Sequence, residues 1–428
     1  MKPLKTIKEE FPIFRHHPGL VYLDSTATTL KPQSVIDAVS GYYERYSANV
    51  GRGLYPIAEE ATVKFEEARA KVAAFIGADA DEIVFVRNTT EGFNLLASTL
   101  GTFLEPDDNI VVTEMEHHSN YLPWRRVADE YDAAFRMLPI STDGILDPRK
   151  LKNFVDRNTA IVSFPAVSNV LGTKVPVADI VKKIKKLSPD AAVLIDASQV
   201  AGHSRIDVSA WGADFIVFSG HKMFGPTGAG VVWGRRELLD ILPPFLQGGG
   251  MVLDACPDQS PAGRACPNQP STGRTCADGP VWKDAPHRFE AGTPDIASAI
   301  GLGAAVDFIG SVGIDRIEKH EQKLVRYAMR KLVKAFGSDI TIYGTDDIDR
   351  HAGLISFTLA GIHPHDLAQI LGEQNICIRA GEHCASPIHR KLGLSATARL
   401  SLSIYNDEHD IDTIIDGMTE ARRLMSNS

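Results

Sequence analysis

The strongest constraint in this chain is a series of short apolar runs, rich in β-branched residues, separated by stretches of helical period. They are Ile83-Val84-Phe85-Val86, Ile110-Val111-Val112, Ala160-Ile161-Val162-Ser163-Phe164, Val193-Leu194-Ile195, Phe215-Ile216-Val217-Phe218 and Gly230-Val231-Val232-Trp233. Continuous apolar runs fit strands covered on both faces, so the pattern predicts an α/β fold around a mostly parallel sheet. The intervening helices are legible too. In ATVKFEEARAKVAAFIG the residues Phe65, Ala68, Val72, Phe75 and Ile76 fall at steps of three and four, and Gly77 supplies a stop, so this face is expected to pack on the sheet.

In sheets of this kind ligands bind at the carboxyl ends of the strands. Polar clusters follow four of the runs: Arg87-Asn88-Thr89-Thr90-Glu91-Gly92, Thr113-Glu114-Met115-Glu116-His117-His118, Asp196-Ala197-Ser198-Gln199 and Ser219-Gly220-His221-Lys222. A lysine beside Ser219 and His221 suits Schiff-base formation with a phosphate-bearing carbonyl cofactor, although a surface lysine after a strand is the commoner arrangement. Asp196 at a neighbouring strand end suits a protonated pyridine nitrogen, or else caps a helix. Thr89-Thr90-Glu91-Gly92 reads as a helix start, either an anion site for the cofactor phosphate or a simple capping box. His117 suits stacking on the ring or proton relay as well as a structural role, and Gln199 and Asn169 suit a phenolate oxygen or a turn.

At 428 residues and 44% hydrophobic content, the chain can bury one large core and a second, smaller one. The expected units are an N-terminal segment 1–20 packing with the small domain, a large domain 21–295, and a smaller α+β domain 296–428. A low-complexity insertion at about 251–285 interrupts the large domain; Cys256, Cys266 and Cys276 repeat in it every ten residues. That spacing lacks the close cysteine pairs of common zinc sites, so no metal is expected there and the repeat is expected to be tolerated. A net charge of −9 argues against nucleic-acid or anionic-membrane partners. Lys182-Lys183-Ile184-Lys185-Lys186 reads as a solvated helix face. The first residues lack the apolar core of a signal peptide, no long apolar run occurs, and five cysteines do not suggest a disulfide scaffold, so a cytoplasmic protein is expected.

The runs YLDSTATTLKP, RNTTEGFNLLA, TEMEHHSNYLPW, VSNVLGT, IDASQVAGH, FSGHKMFGPTGAGVVWG, RFEAGTPD and IRAGEHCASP, in that order between about residues 20 and 406, closely resemble cysteine desulfurases of the class-V aminotransferase fold. The resemblance is nearest to the sulfur-mobilisation (SUF-type, group II) branch, with selenocysteine lyase as a close relative. It implies a fold-type I enzyme dependent on pyridoxal 5′-phosphate (PLP), with Lys222 carrying the cofactor as a Schiff base, Asp196 on the pyridine nitrogen, Gln199 on the phenolate oxygen and His117 stacked on the ring. Thr90, Ser219 and His221 would bind the phosphate, with Thr293 supplied by the neighbouring subunit of a homodimer. Arg399, helped by Asn169, would hold the substrate α-carboxylate, and Arg379 would lie near the incoming substrate.

Cys384, in the small domain, would be the nucleophile that takes sulfur from L-cysteine, leaving L-alanine and a persulfide to be passed to an acceptor protein of iron–sulfur cluster assembly. His383 and Arg379 would favour its thiolate if they face the sulfur. Glu382 stands where this branch usually has histidine, and a close carboxylate would work against the thiolate. Cys377 reads as a strand core residue. Selenocysteine lyase, or another class-V activity such as aminotransferase or epimerase, would use the same cofactor residues, and a cofactor-free scaffold would keep only the fold.

Overall fold

The computed structural model describes residues 2, 4–255 and 280–426. All six apolar runs are strands, and a seventh joins them. In chain order they are β1 (Ile83–Val86), β2 (Asn109–Thr113), β3 (Ala134–Leu138), β4 (Thr159–Pro165), β5 (Ala192–Asp196), β6 (Phe215–Ser219) and β7 (Gly230–Gly234). The seven-stranded sheet has the order β1-β7-β6-β5-β4-β2-β3, parallel except for β7, which is antiparallel to both its neighbours. Because β1 and β6 both oppose β7, they run the same way, and the ends of β1, β2, β4, β5 and β6 share one edge of the sheet.

Alternate side chains of each strand enter different cores, which is why the runs are continuously apolar. Val111, Val162, Val193, Ile195, Ile216 and Val231 join the cluster on one face, whereas Ile110, Val112, Ile161, Leu194, Val217 and Val232 join the other. The helix Pro56–Ile76 ends at Gly77, whose φ of 75° is the left-handed stop expected of it. Its buried face packs chiefly against the helix Ile296–Val312 and meets the sheet, as expected, through Phe65 on Phe85. That partner is apolar nearly all round, so it needs cover on every side and lies against the helix Gln33–Arg45 as well.

A second sheet of four antiparallel strands, in the order Ile340–Tyr343, Leu354–Leu359, Thr397–Ser401, Arg379–Gly381, has its own core with the helices Ile314–Phe336 and Glu408–Ser426. The N-terminal segment spans both units: Phe11 packs on Phe224, Phe308 and Tyr405, and Lys8 pairs with Asp410. Val21–Tyr22 then pairs in parallel with Ile376–Cys377, where Cys377 is half-buried. The Cys256, Cys266 and Cys276 repeat lies outside the described residues, although the flanking Val252–Asp254 and Val281–Trp282 pair with each other. Among the described residues no single helix is long and apolar enough to cross a membrane.

Candidate active site

The shared strand edge opens on a cavity of about 330 Å³. Lys222, Asp196, Gln199, His117, Thr90, Ser219, His221, Asn169, Arg399, Arg379 and Cys384 all line it. Thr293 does not: it lies at another surface, where its hydroxyl accepts from the Asn49 amide at 3.3 Å.

Close packing of backbone brings the first wall into place. The helix Thr89–Gly101 follows β1, and Asn88, not either threonine, is its cap, accepting from Glu91 N–H at 3.0 Å. A Cβ on Gly92 would stand 2.6 Å from Val217, and one on Gly230 would stand 2.6 Å from Asn88 Cα, so glycine at both positions lets the helix start sit directly on the sheet. Thr89 N–H donates to Ser219 Oγ at 2.8 Å, and the Thr89 hydroxyl meets Ser198 and Ser219 at 2.8 and 2.7 Å. Thr90 pairs with Ser119 at 2.6 Å. Helix N–H groups and a ring of hydroxyls thus face one end of the cavity, the donor set an anion needs.

Asp196 ends β5 with its carboxylate accepting from Ser198 N–H at 2.9 Å. Burial pushes its pKa up, against the pull of Ser198 and Lys222. Burial pushes the Lys222 amine down, against the pull of Asp196. His117 accepts the Ser119 N–H on Nδ1 at 3.1 Å, which leaves the proton of the neutral ring on Nε2. Burial, then the charge of Lys222, lowers His117 to about 3, and the same two causes with Lys31 lower His221 to about 4. Both imidazoles are neutral at pH 7.

The other wall is the Cys384 loop. His383 and Cys384 take φ of 52° and 54°, left-handed values that cost a non-glycine residue roughly 1–2 kcal/mol each. Contacts from the large unit offset this. His118 N–H donates to Cys384 O at 2.7 Å, Ser386 N–H donates to the His118 ring at 3.2 Å, and the Asn169 amide donates to His383 O at 2.8 Å. Cys384 is exposed and lies within electrostatic reach of Lys222, Arg379 and Arg399. His383 supplies no positive charge to the thiolate: burial, then Arg399, lowers its pKa to about 2. Glu382 is exposed and does not line the cavity.

Several residues that line or support the site carried no recognisable signal as single positions. Thr26, Thr28, Ser119 and Ser198 line the cavity, beside Thr89 of the expected helix start. Asp24 bonds both arginines from behind it. Beneath His117, the buried Glu116 accepts from Thr113 at 2.5 Å and from Asn120 at 2.6 Å, and Asn120 accepts in turn from Trp124 and Ser163. Polar residues at strand ends were the available signal, but which of them face inward depends on the loop that each enters.

A mostly parallel α/β sheet with a lysine and a carboxylate at adjacent strand ends, and hydroxyls at a helix start beside them, is the arrangement of an enzyme of the aminotransferase type. The chain belongs to the aminotransferase class-V family, whose model matches residues 21–414. It is 44% identical to a probable cysteine desulfurase of Streptomyces coelicolor, over 98% of this chain and 97% of that relative. An apo structure of a cysteine desulfurase from Thermococcus onnurineus aligns with a TM-score of 0.88 at 37% identity, covering 98% of each chain. A crystal structure of an Escherichia coli cysteine desulfurase aligns with a TM-score of 0.86 at 32% identity, covering 99% of each.

Proposed function

We propose that this chain is a PLP-dependent cysteine desulfurase converting L-cysteine to L-alanine, with the released sulfur held as a persulfide on Cys384. The observation that carries the reading is that Lys222 and Cys384, from different units of the fold, line one cavity together with Arg399. The names of the relatives and the family's dependence on PLP support it.

The donor set fits the cofactor. Thr90, Ser219, His221 and the helix start at Thr89 suit its phosphate, Asp196 its pyridine nitrogen, Gln199 and Asn169 its phenolate oxygen, and His117 its ring face. Gln199 and Asn169 each spend one amide bond elsewhere, on Thr26 O at 3.2 Å and His383 O at 2.8 Å, so each is held in place for this task. Bound PLP supplies an electron sink that acidifies the Cα–H of an amino acid. Arg399, whose buried Nε has no hydrogen-bond partner among the described residues, holds the α-carboxylate. Lys222 takes the Cα proton, because burial favours its neutral, basic form. Cys384 thiolate attacks the substrate Sγ, an S–S bond forms as the Cβ–Sγ bond breaks, Cβ gains a proton, and the proton held by Lys222 returns to Cα as L-alanine leaves.

Thr293 belongs in this scheme to the neighbouring subunit's phosphate site, which makes the working unit a homodimer. An acceptor protein that takes the persulfide sulfur towards iron–sulfur cluster assembly completes the cycle in the cytoplasm. We place the start of the smaller unit at Gly313 rather than at the expected 296, because the helix Ile296–Val312 packs with the helices Pro56–Ile76 and Gln33–Arg45 of the large unit.

Mass spectrometry after brief reaction with L-cysteine tests the assignment. One added sulfur is expected on Cys384 with matching alanine release, and Cys384→Ala should lose both. Undiminished alanine release by Cys384→Ala would sink the persulfide route.

A further inference from the structure

Lys222 ends a single turn, Gly220–Lys222, that follows β6 and is too short to be rigid on its own. The carbonyls of His221 and Lys222 are held from outside it. His221 O accepts from Thr29 N–H, the Thr28 hydroxyl and Lys31 Nζ, each at 3.0 Å. Lys222 O lies 3.1 Å from His203 Nε2. The two residues can meet because Gly202, at a φ of 84°, precedes His203. A Cβ on Gly202 would stand 2.6 Å from Met223 Cβ and 2.8 Å from Met223 Cα, so the chain after β5 runs directly against the residue that follows Lys222.

The other ring nitrogen decides the protonation of His203. Nδ1 stands 2.9 and 3.1 Å from the two carboxylate oxygens of Glu321, which is buried on the helix Ile314–Phe336. A carbonyl can only accept, and so can a carboxylate, so both ring nitrogens donate and the ring is an imidazolium. Burial works against that charge, but the Glu321 carboxylate and the Lys222 carbonyl outweigh it and raise the pKa above its ordinary value, with the Lys222 amine opposing them. The remaining ionisable groups around this recess are engaged elsewhere: Lys174 pairs with Glu318 at 2.6 Å, and His351 Nδ1 bonds Ala352 O at 2.9 Å. Neither His203 nor Glu321 lines the substrate cavity.

We infer that His203, held by Glu321, is a positioning residue for proton transfer at the substrate Cα: its Nε2–H fixes the Lys222 carbonyl, and with it the root of the lysine side chain, so that the amine meets the Cα–H in one place. A charged donor makes the stronger bond to that carbonyl. Lys222 is thereby tied to the smaller unit, because the helix that carries Glu321 packs in the core of that unit. An amine displaced from its attack position loses rate rather than affinity for the amino acid. The inference rests on the assignment of Lys222 as the base.

Exchange of the Cα proton of L-alanine in heavy water, followed by proton NMR with the holoenzyme, reads this step without Cys384. His203→Phe keeps a ring and loses the donor; exchange should slow roughly tenfold or more, while the calorimetric dissociation constant of L-alanine stays within about twofold of the parent. His203→Gln puts an amide N–H at a similar reach and should recover most of the loss. A space-filling role predicts the opposite order, with His203→Phe faster than His203→Gln. That order would overturn the inference, as would a parental exchange rate in folded His203→Phe. In the holoenzyme labelled with nitrogen-15 histidine, His203 Nε2 should carry a proton at about pH 7. A bare Nε2 would overturn the inference even where His203→Phe does not fold. Sulfur loading of Cys384 by L-cysteine tests the desulfurase reading separately, because exchange on L-alanine uses Lys222 and not the thiol.

Discussion

Asn169 joins the arginine assigned to the substrate to the loop that carries the sulfur acceptor: its carbonyl accepts from Arg399 NH1 at 2.8 Å, and its side-chain amide donates to His383 O at 2.8 Å. The carbonyl bond survives any substitution, but the amide bond does not. Asn169→Ala should leave His383 O unpaired beside a left-handed Cys384, at a cost of about 1–3 kcal/mol in the placement of the thiol. Sulfur loading of Cys384, followed by quenched-flow mass spectrometry, should slow roughly tenfold or more. An unchanged loading rate would show that His118 alone holds the loop.

Gly230 tests the close approach of strand and helix. Gly230→Ala places a methyl 2.6 Å from Asn88 Cα, where backbone and not a flexible side chain must yield. Overpacking of this kind costs about 1–3 kcal/mol. The displaced helix start is the proposed phosphate wall, so cofactor affinity, measured by reconstitution of the apoenzyme, should fall at least several-fold together with the unfolding midpoint. Full cofactor affinity in the variant would separate the helix start from phosphate binding.

The buried His383 predicts a dependence of stability on pH. An unfolded chain protonates this histidine near its ordinary value of 6.5, whereas the folded protein does not until about 2. Between those values the unfolded state binds the extra proton, so this contribution is complete above 6.5 and is lost as the pH falls, at about 1.4 kcal/mol per pH unit. His383→Gln removes the group that titrates. Denaturant unfolding at about pH 7 and about pH 5 should show a shallower loss for the variant than for the parent. Parallel pH profiles would show that His383 protonates freely in the folded state.

Arg69 and Glu290 form a buried pair, at 2.7 Å and 2.9 Å on its two prongs. Glu290 also accepts from Phe85 N–H at 2.8 Å, and Arg69 donates to Ile83 O at 2.8 Å. The pair ties the helix Pro56–Ile76 and β1 to the segment that returns after the insertion. Glu290→Ala leaves the buried guanidinium only the half-exposed Glu66 as a charged partner, at 2.8 Å, and should destabilise by up to about 3–5 kcal/mol, while Arg69→Met/Glu290→Leu should cost much less. Equal losses in the single and double variants, measured by chemical unfolding, would contradict this.

The six strands legible as apolar runs were recognisable because both faces of the sheet are covered, which removes polar residues from each run. β3 was not recognisable. It is one of the two edge strands and, unlike the buried edge strand β1, it is largely half-buried or exposed and carries Arg136, so no continuous run marks it. The expected fit of the Pro56–Ile76 helix to the sheet held in part, through Phe65 on Phe85, while most of the face went to another helix. Period shows that a helix has an apolar face, but not whether a strand or another helix covers it.

Local pattern in the sequence determined the strands, the polar clusters at their carboxyl ends, and with them the position of Lys222 near Asp196, because hydrophobic period and chain direction alone place a strand end at the edge of a sheet. Tertiary structure alone decided what Lys222 faces. Asp24 meets Arg379 across 355 positions of sequence, and Asn169 meets the Cys384 loop across 214. Such polar contacts depend on how two separately cored units pack, and no local period records a relation between residues so far apart.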